Sequence, residues 1–193
     1  MSSYHHGNLR EALVEKAVEL AREKGPGGPS LREVARRAGV SHNAAYRHFA
    51  DLEQLLQEVA SVAMRELAAA MDAKVRRLRT TDRAEHARRR LRATGQAYVE
   101  YALAEPGLFR VAFDHVQHSE LTGPYDLLSS ALDGCLEAGV MAPAKRPGAE
   151  LSCWAGVHGF AMLYGSGPLR DAPRRERDAD LGRLLDRITD SLA

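Results

Sequence analysis

The stretch from Ser30 to Phe49 constrains this chain most, because its residues spell two short helices joined by one tight turn. Ser30 with Glu33 three positions on has the form of a capping box, in which hydroxyl and carboxylate satisfy orphan amides at a helix start. Leu31, Val34, Ala35 and Ala38 then recur at i, i+3, i+4 and i+7 as one buried stripe, with Arg32, Arg36 and Arg37 pointing away from it. Gly39 ends the helix because glycine tolerates the left-handed backbone that follows a helix terminus. Val40 plugs the corner and Ser41 is a good N-cap for the next helix. The pattern is a helix-turn-helix.

At about 100° per residue the second helix separates into two faces. Ala45 and Phe49 fall on the core side; Asn43 and Arg47 lie opposite with Ala44 beside them, His42 and Tyr46 on one flank and His48 on the other. Small and hydrogen-bonding side chains in the middle suit base edges in a major groove, and a phenol and an imidazole at the margins reach phosphate oxygens. An ordinary solvated helix face carries Glu and Lys, whereas residues 41–50 contain no acidic residue. The candidate DNA contacts are Arg32, Ser41, His42, Asn43, Ala44, Tyr46, Arg47 and His48.

The segment LREVARRAGVSHNAAYRHFADLEQLL resembles the DNA-binding segment of the TetR family of bacterial transcriptional repressors. An arginine near the start of the first helix is present as Arg32, the turn is Gly39-Val40-Ser41, and the aromatic, any residue, His, Phe run is Tyr46 to Phe49, followed by an acidic helix start at Asp51. The likeness spans roughly residues 8–60 and is specific in its combination of features. It departs from the usual pattern at Leu52, where a basic residue often touches the DNA backbone, and at Ala45, where a bulkier apolar residue is common. The opening segment Tyr4-His5-His6-Gly7-Asn8-Leu9-Arg10 is similar to that of one TetR branch, in which a Tyr-His-His-Gly lead precedes helix one, and reads as an arm near the phosphates. Helix one comes next, with Leu9, Leu13, Ala17, Leu20 and Ala21 as its buried stripe, and stops at Gly25-Pro26-Gly27-Gly28-Pro29.

At 193 residues and 45% hydrophobic content the chain can hold one compact core with a small appended module. The expected division is a DNA-binding domain over 1–50 and an effector-binding and dimerisation domain over 51–193. No apolar run near membrane-spanning length and no signal-type segment occurs, which points to the cytoplasm. The formal charge of +1 says little about partners, but residues 1–50 hold eight Lys and Arg against five Glu, an excess of three. Cys135 and Cys153 fall on separate expected helices and read as buried thiols.

Beyond residue 50 every segment is helical in pattern, with expected helices at 51–78, 82–104, 108–115, 123–138, 149–163 and 178–192 and a charged connection at 174–178. The fold is therefore all-α: a three-helix module followed by a larger bundle. Residues 74–92 hold nine Lys and Arg against two acids. A helix running from Asp51 carries Arg79 about 40 Å from the DNA end at ~1.5 Å per residue, so this stretch reads as a solvated turn or an attraction for an anionic effector.

Trp154-Ala155-Gly156-Val157-His158-Gly159 is similar to the Trp-His-Gly (WHG) motif of a C-terminal domain found in part of the TetR family. Trp154 and His158 share a helix face, while Gly156 and Gly159 point to another helix packing closely. The candidate effector pocket is Tyr98, Tyr101, Phe109, Phe113, His115, Tyr125, Trp154, His158 and Met162. An apolar lining with a few orienting polar groups defines such pockets, and the same residues equally suit an ordinary core.

An enzyme is not expected. His115 and His118, with Asp114 and Glu120 nearby, lack an evident third metal ligand, and no phosphate loop, nucleophile elbow or Cys-x-x-Cys pair occurs. No cofactor and no metal are called for. The family resemblance implies a homodimer built through the last two helices, with two recognition helices on a palindromic double-stranded DNA operator, acting as a repressor released by a small hydrophobic effector. The alternative it leaves open is DNA binding without a small-molecule effector, either constitutive or controlled by a partner protein.

Overall fold

A computed structural model describes residues 9–116 and 122–193. Nine α-helices run along the described residues, and no strand occurs among them: α1 Leu9–Lys24, α2 Leu31–Arg37, α3 His42–Tyr46, α4 Leu52–Val75, α5 Arg83–Ala104, α6 Pro106–His115, α7 Thr122–Glu137, α8 Ala149–Gly165 and α9 Arg174–Asp190. They form two compact units, one from the chain up to Met64 with the segment from Glu105 to Leu121, the other from Arg65–Ala104 and Thr122–Ala193. This partition does not follow a cut after residue 50. Helix α4 runs unbroken through that point and buries Leu55, Val59 and Ala60 in the first unit, and α6 returns to pack on α1. That return depends on Gly107, where any Cβ would stand 2.3 Å from the carbonyl oxygen of Ala21.

In the first unit Leu13, Ala17, Leu20, Val34, Ala45, Phe49, Leu108 and Val111 are excluded from solvent. The stop after α2 is a Schellman motif: Gly39 has φ of 69°, the Val40 amide donates to Ala35 C=O at 3.0 Å, and the Gly39 amide donates to Arg36 C=O at 3.2 Å.

The second unit is organised around α5, which packs on α7, α8 and α9. A Cβ at Gly95 would lie 2.8 Å from Leu185 Cδ2 and 3.3 Å from Val157 Cγ1, so α8 and α9 both press on α5 at that point. Cys135 and Cys153 sit in one buried cluster with Leu91, Leu132, Met141 and Leu192. Burial pushes the Cys153 thiol up to about 11 and raises Cys135 too, which keeps both protonated and inert.

Two local expectations change. The charged connection at 174–178 is the first turn of α9, because Pro173 stands at its N-cap and Arg174 pairs with Asp178 one turn on. Gly156 does meet a neighbouring helix, with Ile188 Cδ1 3.4 Å from its would-be Cβ, but Gly159 has nothing within 4 Å.

Candidate nucleic-acid interface

The surface of α3 is set up by its caps. Ser41 Oγ accepts from the Ala44 amide at 3.2 Å, which leaves its own hydroxyl proton to give away. Ser30 Oγ caps α2 in the same way, accepting from the Glu33 amide at 3.2 Å. The reciprocal half of the expected capping box is not made: the Glu33 carboxylate instead takes Arg36 in a two-pronged pair at 2.7 and 2.8 Å. Arg36 beside it holds the Glu33 carboxyl down to about 2. Arg37 is occupied as well, bound to Glu23 at 2.6 and 2.8 Å and reaching Glu33.

Arg32 and Arg47 differ from these neighbours. Both are exposed, and neither has an ion pair among the described residues. The four arginines from Arg32 to Arg47 thus divide into two that lock acids in place, Arg36 and Arg37, and two that stand open to solvent, Arg32 and Arg47.

Of the eight expected DNA contacts, Arg32, Ser41, His42, Asn43, Tyr46 and Arg47 are exposed and His48 is partly so. His42 and Tyr46 meet edge to face, ring centroids 4.6 Å apart, one turn of α3 from each other. Ala44 is the correction: it is 7% exposed and belongs to the core side with Ala45. Its methyl lies only about 100° around the helix from Ala45, and the close corner between α2 and α3 covers so short a side chain. Of the opening segment, Tyr4 to Asn8 lie outside the described residues, as do His118 and Glu120, while Leu9 and Arg10 begin α1.

Arg10, which the sequence placed only as the last residue of the opening segment, has a specific set of partners. It donates to His48 C=O at 2.7 Å, pairs with Glu58, and its guanidinium carbon lies 4.3 Å from the centre of the Phe49 ring. The signal was present only as an arginine early in α1, with nothing in the pattern to show what it meets.

The nine expected effector-pocket residues divide between the units. Phe109, Phe113 and His115 lie on α6; Phe109 is buried against Phe113, and His115 Nδ1 is 2.9 Å from the Glu53 carboxylate. In the second unit Tyr125 is exposed, Met162 is half-buried, and Tyr101 donates to Glu66 at 3.1 Å. Three residues are drawn together. The Trp154 indole N–H donates to the Tyr98 hydroxyl at 3.0 Å, and that hydroxyl lies 2.8 Å from His158 Nδ1. The hydroxyl oxygen thus accepts from the indole and shares a second hydrogen bond with the imidazole, whose donor is set by the His158 tautomer. Burial lowers the His158 pKa and raises that of Tyr98, holding both neutral.

The basic stretch at 74–92 is laced with ion pairs: Lys74 to Glu100, Arg76 to Asp72, Arg89 to Glu85 and Arg92 to Asp186. Arg92 also borders a groove of about 530 Å³ between α5 and α9 whose rim includes Arg174 and Arg177. Among the described residues no helix is long and apolar enough to cross a membrane, and no group of three or more His, Cys, Asp or Glu could hold a metal ion.

Residues 13–59 match the family described as bacterial regulatory proteins, tetR family, and residues 91–192 match the tetracyclin repressor-like C-terminal domain. A solved structure of a protein of unknown function from Rhodococcus sp. RHA1 is 31% identical and superposes with a TM-score of 0.82 over 100% of both chains. TetR from Acinetobacter baumannii AYE, in a variant bound to minocycline, shares the fold at a TM-score of 0.67 and 19% identity, over 98% of this chain and 96% of that one. An HTH-type transcriptional repressor of Mycobacterium tuberculosis H37Rv is 38% identical over 48 residues, 25% of this chain and 26% of the repressor. The chain thus spans about a quarter of the length of the curated relatives it matches.

Proposed function

Because this chain belongs to the TetR family of bacterial regulatory proteins, we infer that it is a DNA-binding transcriptional regulator whose dimer reads a two-fold symmetric operator through α3. One observation carries this reading. The outer face of α3 and its C-cap offer Asn43, Tyr46 and Arg47 to solvent in a stretch, 41–50, that contains no acidic residue, and Arg47 and Arg32 have no ion pair among the described residues. Such a surface meets phosphates and base edges at once. Repression would be steric, by occupying a promoter.

Dimerisation through α8 and α9 is supported by the outer face of α8. Leu151 and Leu163 are 69% and 45% exposed on a helix whose opposite side is already in the core, with Ala155 and Gly159 between them on that stripe. A helix apolar all round is suited to burial on both sides. Leu181, Leu185 and Leu192 of the last segment are spent on the chain's own core, so truncation after Asp178 would unfold the second unit as well as remove an interface.

The effector reading centres on the Trp154, Tyr98 and His158 triad and on the resemblance of 154–159 to the WHG type. A hydrophobic ligand seated there would favour one spacing of the two α3 helices. The coupling is reciprocal, and about 1–3 kcal/mol of it shifts DNA affinity by ~5–150-fold. The test is a fluorescence titration with duplexes selected by the purified protein from its source genome, set against scrambled duplexes, then repeated across a ligand library. Equal affinity for selected and scrambled duplexes would defeat the DNA-reading claim. DNA affinity unchanged across the library would favour the effector-free alternative.

A further inference from the structure

Helix α3 has only five residues, and its last carbonyls have no partners within the helix. The chain turns directly after it, with the amides of His48 and Phe49 both returning to Ala45 C=O at 3.0 Å. The linker beyond this turn is closed by two bonds, the Ala50 amide to Gln54 Oε1 at 2.9 Å and the Gln54 amide to Asp51 Oδ1 at 2.8 Å. Into this junction α1 sends one side chain. Arg10 gives Nη1 to His48 C=O and Nη2 to Glu58 on α4, and it lies across the ring of Phe49, which is itself fully buried.

We propose that Arg10 is a positioning residue for DNA reading, fixing the carboxyl end of α3 against α1 and α4 so that Arg47 is presented at one angle. The assignment rests on the DNA-binding function proposed for α3. Its physical basis is adjacency along the chain: the His48 carbonyl belongs to the planar unit that joins His48 to buried Phe49, and holding that unit at its oxygen and at the Phe49 ring fixes the turn that Arg47 leads into. Only a guanidinium fits all three demands together. Its fork supplies two separate donors, one for the His48 carbonyl and one for Glu58, and its face stacks on the Phe49 ring. A lysine at the same place has one compact donor head and loses the stacked plane.

A half-exposed arginine near the start of α1 could instead touch a phosphate directly, and the two roles separate by measurement. A phosphate contact is lost equally on all sequences and lowers the dependence of log affinity on log salt by about 0.9. A positioning residue lowers affinity for the selected duplex alone. The experiment compares full-length wild type, Arg10→Met, Arg10→Lys and Glu58→Gln on the duplex selected by wild type and on its scrambled version, across a salt series, with melting temperature recorded for each.

The expected result for Arg10→Met is a loss of about tenfold on the selected duplex, with binding to the scrambled duplex and the salt slope unchanged. Arg10→Lys should recover part of that loss, and Glu58→Gln should lose less than Arg10→Met. A uniform loss with a reduced salt slope would overturn the proposal in favour of a phosphate contact. An unchanged ratio of selected to scrambled affinity with a lowered melting temperature would overturn it in favour of a purely structural role. If Arg10→Met does not fold, the Arg10→Lys ratio decides the matter by the same criteria. Failure of wild type to select any duplex would count against the DNA-binding function instead, since no variant enters that step.

Discussion

The α3 surface and the Tyr98 triad are both small sets of polar side chains on helices, yet they are assembled over different distances along the chain. The caps that set up α3 join residues three apart, Ser30 to Glu33 and Ser41 to Ala44. The triad joins residues 56 and 60 apart, Trp154 to Tyr98 and His158 to Tyr98. The first needs only a turn to close, with small loop entropy, whereas the second exists only once α5 and α8 have docked. One surface is specified by local chemistry and the other is a product of packing.

This contrast is sharpest where local assembly meets the core. Phe49 ends the recognition segment and is wholly buried, so Phe49→Ala should cost about 3–5 kcal/mol of stability by leaving a cavity. Chemical denaturation measures it, and a loss below about 1 kcal/mol would show that the caps alone hold α3 in place. Next in size is the reading surface itself. Arg47→Ala should cost about 1–3 kcal/mol of affinity for the selected duplex and relax preference at one base pair, with stability unchanged. Tyr46→Phe should instead weaken binding to all sequences alike if the phenol meets a phosphate.

For the triad, Tyr98→Phe removes the hydroxyl that Trp154 and His158 share, and should cost about 1 kcal/mol in the second unit. A melting curve shows it, and an unchanged midpoint would mean that the shared oxygen adds nothing to helix docking. The smallest effect concerns pH. Burial lowers the folded pKa of His158 below the ordinary 6.5, so the unfolded chain binds the proton more readily. Stability is then complete above about pH 6.5 and falls as pH drops through that value toward the folded pKa. Urea midpoints followed across this window for wild type and His158→Gln isolate the contribution, and identical pH slopes for the two would remove it.

The helices of this chain were legible because their boundaries obey nearest-neighbour rules. Asp51 caps α4, Pro106 opens α6, and Gly39 and Gly139 take the left-handed backbone that stops a helix. Where a boundary moved, as at Arg174, the features behind it were still local, Pro173 at the N-cap and an ion pair one turn along. The outward face of α3 was legible for the same reason, except at Ala44, whose one methyl lies at the border of the core stripe and is assigned by the neighbouring helix.

Which arginines are spent on acids and which stand open could not be read along the chain. Arg37 finds Glu23 from another helix, 14 residues away, and Arg10 reaches His48 and Glu58 across gaps of 38 and 48. The same holds for the grouping of aromatics: six of the nine expected pocket residues lie in one unit and three in the other, although all fall within one stretch of sequence. The sequence by itself determined the helices, their stops and the character of the reading surface, since those arise from dihedral preference, capping and periodicity within a few residues. Only the tertiary structure decided the partners of Arg10, Tyr98 and His158, because side chains tens of residues apart meet only after packing has fixed the distances between helices.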